Sequence, residues 1–136
     1  MLTPAPSRST ESQFRLLYLG ADLEFIAVLR KPLTKAGCRL VTCSDRGSAI
    51  LFLKSDIPYD LMLIDFEWQK EEGLKLARLA HSLSHRKRMP ILLLAATESN
   101  EKVGIFARKL GAGECVMKTP DMVGVIEAIK RLLDVD

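Results

Sequence analysis

Asp65 closes an unbroken apolar run, Leu61-Met62-Leu63-Ile64-Asp65. Such a run reads as a buried strand, and a carboxylate at its tip is placed to act as a nucleophile or a cation ligand. Phosphoryl transfer onto a carboxylate calls for a hard cation, and that cation calls for more than one acid. The expectation is that the chain lacks the other acids, with no metal bound; only two could partly substitute. Asp22 follows the run Leu16-Leu17-Tyr18-Leu19, and Glu67 lies two residues beyond Asp65. Each has an ordinary alternative, Asp22 as a helix N-cap and Glu67 as a solvated loop side chain. His81 and His85 stand four apart, a spacing that suits a shared metal on a helix. No Cys, Asp or Glu follows them at a matching interval, so a solvated face is the expectation. Arg78 with Arg86-Lys87-Arg88 forms a basic patch, explained as a charged helix end. Trp68, the single tryptophan, is either a contact surface or a lid over the acidic pocket.

The elements that must position these groups follow from two alternating periods. With 136 residues the chain is one domain, long enough to bury roughly two-thirds of its unfolded surface. Residues 1–13, with Pro4, Pro6 and Ser7-Arg8-Ser9-Thr10, read as a disordered tail, leaving 14–136 as the domain. A net charge of +3 does not argue for nucleic acid, and no apolar run is long enough to span a membrane. Cys38, Cys43 and Cys115 sit in apolar surroundings, as reduced thiols of a cytoplasmic protein would.

Strands are expected at Arg15–Gly20, Cys38–Cys43, Asp60–Ile64, Ile91–Ala95 and Glu114–Met117. The first helix carries Phe25, Ile26, Leu29 and Leu33 and ends at Gly37, with Pro32 predicting a kink or an early end near Arg30. Asp45 is expected to cap a helix Ser48–Lys54, with Ile50, Leu51 and Leu53 inward. A loop from Asp65 to Gly73 precedes a helix Leu74–Leu83, and Ser99–Leu110 is a fourth. Pro120 starts the last helix, whose face is Met122, Val125, Ile126, Ile129 and Leu133. Strands alternating with helices give an α/β fold, a doubly wound parallel sheet. Its crevice lies beyond the strands' carboxyl ends, which gathers Gly20-Ala21-Asp22, Asp65, Ala95-Ala96-Thr97 and Lys118.

From about Phe14 to Leu133 the chain resembles the receiver domain of two-component response regulators. The resemblance is carried by Asp60-Leu61-Met62-Leu63-Ile64-Asp65, by Gly73, by Pro90-Ile91-Leu92-Leu93-Leu94-Ala95 and by Leu110-Gly111-Ala112-Gly113-Glu114-Cys115-Val116-Met117-Lys118. It implies a (βα)5 flavodoxin-like sheet of strand order 2-1-3-4-5, Asp65 as the phospho-accepting position and Lys118 as the active-site lysine. It also sets positions where this chain differs. The acidic pair that holds Mg²⁺ falls on Gly20 and Ala21. The switch Ser/Thr and its coupled aromatic fall on Ala95 and Cys115. Proline follows Lys118 after Thr119 rather than directly.

On charge, Asp65 and Lys118 are expected to cancel in a direct pair, leaving Mg²⁺ binding doubtful and no other cofactor implied. The expectation is therefore a pseudo-receiver, a non-enzymatic interaction module without Mg²⁺-dependent phosphorylation. It would dock a protein partner or a second copy through its helical faces, off-stripe Ile105 and Val123 included, and not nucleic acid or membrane. The competing expectation is a working receiver phosphorylated on Asp65 by a histidine kinase. A flavodoxin-like nucleotide binder is disfavoured, because Gly20-Ala21-Asp22 supplies no glycine-rich phosphate loop.

Overall fold

The computed structural model describes residues 13–68, 70–95, 105, 109 and 114–134, with the side chains of Lys70 and Glu71 outside that description. The five apolar runs become strands β1 (Phe14–Leu19), β2 (Cys38–Cys43), β3 (Leu61–Asp65), β4 (Ile91–Ala95) and β5 (Glu114–Met117). They pair in parallel in the order β2-β1-β3-β4-β5, as expected. Among the described residues the helices are α1 (Leu23–Lys35), α2 (Arg46–Lys54), α3 (Lys70–Ser82) and α4 (Val123–Leu133). The expected helix Ser99–Leu110 lies outside the described residues except for Ile105 and Lys109, both helical.

Because side chains alternate along a strand, the sheet divides its apolar residues between two faces. Leu17, Leu19, Met62, Ile64, Ile91 and Leu93 pack beneath α2 and α3. Leu16, Tyr18, Leu61, Leu63, Leu92 and Leu94 pack beneath α1 and α4. Burial on both faces explains why β3 and β4 read as continuously apolar.

Several helix expectations are corrected. Helix α1 runs through Pro32 to Lys35 without ending near Arg30. The half-buried proline forgoes one backbone bond while Phe25, Ile26, Leu29 and Leu33 are buried along the same helix. That burial holds the last turn in place. Gly37 follows it with φ of 81°, the left-handed conformation glycine adopts at little cost. In α2, Ala49 and Leu53 face the core, Ile50 is half-buried, and Leu51 is 72% exposed. Asp45 caps α2 by accepting the Ser48 N–H at 2.8 Å, which starts the helix two residues before the expected Ser48. Helix α3 begins at Lys70, so Gly73 lies within it rather than closing a loop. Helix α4 begins after Met122, not at Pro120. Asp121 accepts the Val123 N–H at 3.0 Å, and Met122 takes φ of 62° at the entry.

Candidate functional site

The carboxyl ends of the strands bring three charged side chains into contact. Asp65, at the end of β3, is 2% exposed. Lys118 follows β5 directly, its backbone N–H donating to the Ala95 carbonyl at 2.8 Å. Pairing with the end of β4 thus aims the lysine back over the sheet. Its ammonium lies 2.8 Å from Asp65 Oδ2 and 2.8 Å from Asp22 Oδ2. It also sits 5.0 Å from the centre of the Phe25 ring, a favourable cation–π placement.

This geometry overturns the expectation of an isolated Asp65–Lys118 pair. Asp22 does cap α1, accepting the Phe25 N–H on Oδ1 at 3.1 Å. Its other oxygen is free to bind the ammonium, so the cap and the site share one carboxylate. Two carboxylates against one ammonium leave one net negative charge. The pseudo-receiver reading and the doubt over Mg²⁺ took Asp65 and Lys118 to neutralise each other with no second acid present; the Asp22 contact overturns that, and both are withdrawn. The oxygen donors of Asp22 and Asp65 suit a hard cation that keeps several of its waters, as Mg²⁺ does when one or two carboxylates bind it. Among the described residues no group of three or more His, Cys, Asp or Glu is arranged around a metal position. The fit therefore rests on this carboxylate pair.

The ionisation states follow from these contacts. Burial pulls the Lys118 ammonium down, but the hydrogen bonds it donates to Asp22 and Asp65 outweigh it and the net shift is upward. The Lys118 hydrogen bond, helped by the Phe25 amide, holds the Asp22 carboxyl below its ordinary range.

The remaining expected residues are placed as follows. Gly20 is buried directly after β1 and Ala21 is exposed, and neither contributes an acid. Glu67 is exposed; its backbone N–H, not its carboxylate, reaches the site, donating to Asp65 Oδ1 at 3.1 Å. Ala95 is buried and offers Lys118 its carbonyl. Cys115 is half-buried against the α2–α3 face of the sheet. Thr97 lies outside the described residues. Trp68 is 8% exposed, and its Nε1–H donates to the Ser44 carbonyl at 3.2 Å, tying together the loops after β2 and β3. It is a packing residue beside the site, not a contact surface.

His81 and His85 do not converge on a metal. Nε2 of His81 lies 3.2 Å from the Met89 carbonyl, and Nε2 of His85 lies 2.9 Å from the Ser55 carbonyl. The basic patch loses its central member. Arg86 is 2% exposed and donates to the carbonyls of Leu53, Phe52 and Ser55, each at 3.0 Å. It closes the C-terminal end of α2 and lies 4.8 Å from the centre of the Tyr59 ring.

One site residue was missed. Tyr18, fully buried in β1, donates its hydroxyl to Asp65 Oδ2 at 3.0 Å. Burial pushes the phenol far up, the Asp65 charge and hydrogen bond add to it, and the Asp22 backbone amide opposes. The phenol is therefore a proton donor at any physiological pH. A tyrosine within Leu16-Leu17-Tyr18-Leu19 was the available signal, since a buried phenol needs a hydrogen-bond partner.

No protein-family model matches the chain, and no curated protein does. Solved structures do. The chain is similar to the chemotaxis response regulator CheY4 of Vibrio cholerae, with TM-score 0.76 at 18% identity over 89% of this chain and 99% of that one. It is similar to a CheY-like receiver domain protein from Methanospirillum hungatei, with TM-score 0.75 at 24% identity over 90% and 95%. A third is the response regulator TrrA from Thermotoga maritima in complex with Mg²⁺-BeF, with TM-score 0.70 at 24% identity over 88% and 99%. At these identities the likeness shows the fold.

Proposed function

We propose that the chain is a signalling receiver domain that accepts a phosphoryl group on Asp65, rather than an enzyme acting on a free substrate. The observation that carries this reading is the Lys118 ammonium held 2.8 Å from both Asp22 and Asp65 at the carboxyl end of a 2-1-3-4-5 sheet. A nucleophilic carboxylate, a fixed cation and a second carboxylate are the parts a phosphoryl-transfer site requires.

In the transfer, an Asp65 oxygen attacks phosphorus, and the bond from phosphorus to the donor's imidazole nitrogen or acyl oxygen breaks. The electron pair leaves with the donor. Lys118 compensates charge on the phosphoryl oxygens without giving up its proton. Asp22 keeps Lys118 in place with a second contact at 2.8 Å. Mg²⁺, held by Asp22 and Asp65, would supply further charge neutralisation. The donor is a histidine kinase or a small acyl phosphate. A cleft of about 430 Å³ lined by Asp22, Phe25, Val28, Lys118, Pro120 and Met122 opens beside the site, giving such a donor an approach.

Ala95 and Cys115 offer neither hydroxyl nor ring for the relay that receivers use. We therefore read the output as a change in what docks over the site and on the helical faces, where Val123 and Ile105 are exposed. That no helix among the described residues is long and apolar enough to cross a membrane agrees with a protein partner.

Incubation with acetyl phosphate and Mg²⁺ tests the reading by intact mass. Wild type should gain one phosphoryl group, lost on hydroxylamine treatment, and Asp65→Asn should gain none. An unmodified wild type, or equal labelling of Asp65→Asn, would sink it.

A further inference from the structure

The two oxygens of Asp65 are not equivalent. Oδ2 accepts from Lys118 Nζ at 2.8 Å and from the Tyr18 hydroxyl at 3.0 Å, which fills its two lone-pair sites. Among the described residues Oδ1 accepts the Glu67 N–H alone, at 3.1 Å, with one lone-pair site beyond it. The asymmetry originates in the sheet. Tyr18 pairs with Leu63 and Leu19 with Ile64, and continuing that register sets residue 20 opposite Asp65. Tyr18 is then the diagonal neighbour of Asp65 on the same face, within reach of a long side chain. Its ring can lie there only because residue 20 is glycine. A Cβ on Gly20 would come within 2.5 Å of the Tyr18 hydroxyl and 2.8 Å of Asp65 Cβ.

We propose that Tyr18 is a positioning residue for phosphoryl transfer: with Lys118, whose place on Oδ2 would pass to Mg²⁺ as the ammonium turns to the phosphoryl oxygens, it fixes Oδ2 and leaves Oδ1 as the attacking oxygen. This rests on Asp65 being the acceptor. After transfer Oδ2 is the carbonyl oxygen of the aspartyl phosphate, still facing the phenol. In hydrolysis, water attacks phosphorus, the bond from phosphorus to Oδ1 breaks, and the electron pair returns to the carboxylate. The proton of water passes to solvent. Charge returning to the carboxylate is met by the Tyr18 hydrogen bond, so the phenol sets the lifetime of the phosphorylated state.

The chain has two tyrosines, so a Tyr59→Phe background leaves Tyr18 alone for isotope-like substitution by 3-fluorotyrosine, a stronger donor. Aspartyl phosphate formed with acetyl phosphate and Mg²⁺ is followed by intact mass after removal of the donor. Tyr18→Phe keeps the ring and should slow hydrolysis about tenfold, the loss of one hydrogen bond to a charged group. Fluorotyrosine at position 18 should speed it. Gly20→Ala, which pushes on the ring and on Asp65 Cβ together, should slow it. A ring that only fills space predicts equal lifetimes for tyrosine, fluorotyrosine and phenylalanine, and that result overturns the positioning role alone. A wild type that takes no phosphoryl group overturns the acceptor reading and the role of Tyr18 with it.

Discussion

Lys118 answers to two carboxylates of unequal exposure, the Asp65 side chain at 3% and that of Asp22 at 39%. The buried partner matters more to stability, because water screens the exposed one. Lys118→Met should cost about 3 kcal/mol, the lower end for breaking a buried pair, read as a lower urea midpoint. The folded ammonium is harder to deprotonate than usual. Its contribution is therefore complete below 10.5 and is lost only as pH rises past the still higher folded value. The identities of Asp65 and Lys118 were legible from an acid and a lysine at the tips of apolar runs. Asp22 was legible as a cap or as a substitute ligand, not as both at once. One carboxylate has two oxygens, and nothing in a linear sequence says that the second is spoken for.

Arg86 shows how an element can depend on a residue far along the chain. Helix α2 ends at Lys54, and its last carbonyls would be orphaned. The Arg86 guanidinium, fixed 31 or more residues away in sequence, satisfies three of them. Arg86→Met should therefore lower stability by about 2 kcal/mol in urea titration: the Leu53 carbonyl loses its donor, while those of Phe52 and Ser55 keep the Ser55 hydroxyl and His85. Arg86→Lys should recover little of it, since a single ammonium cannot reproduce the planar fork. The sequence shows Arg86 between Lys87 and Arg88, where a charged surface is the natural reading. Pro32 misleads in the opposite direction: local chemistry argues for a break, and burial of the flanking apolar stripe outweighs it. Caps at Asp22 and Asp45 and the turn at Gly37 were legible because each depends on neighbours within a few residues.

At the scale of the whole molecule the sheet was readable, since five apolar runs separated by helical spacings admit few arrangements. The loops over its carboxyl edge were not, because their contacts join positions dozens of residues apart. Trp68 is one such contact: its backbone closes the turn after Asp65 and its ring bonds across to Ser44. That placement makes it a reporter of the site. Mg²⁺ should change its emission saturably, and beryllofluoride should change it further only with Mg²⁺ present. At tenfold the dissociation constant, the cation should also stabilise the fold by about 1.4 kcal/mol. A flat titration by both readouts would exclude binding. The glycine opposite Asp65 has a steric corollary. A methyl group at position 20 meets both the phenol and the Asp65 side chain, the latter at 2.8 Å from its Cβ. Shrinking Tyr18 would relieve only the first of these contacts, so an acid at position 20 would require Asp65 itself to move, and the two carboxylates compete for one space.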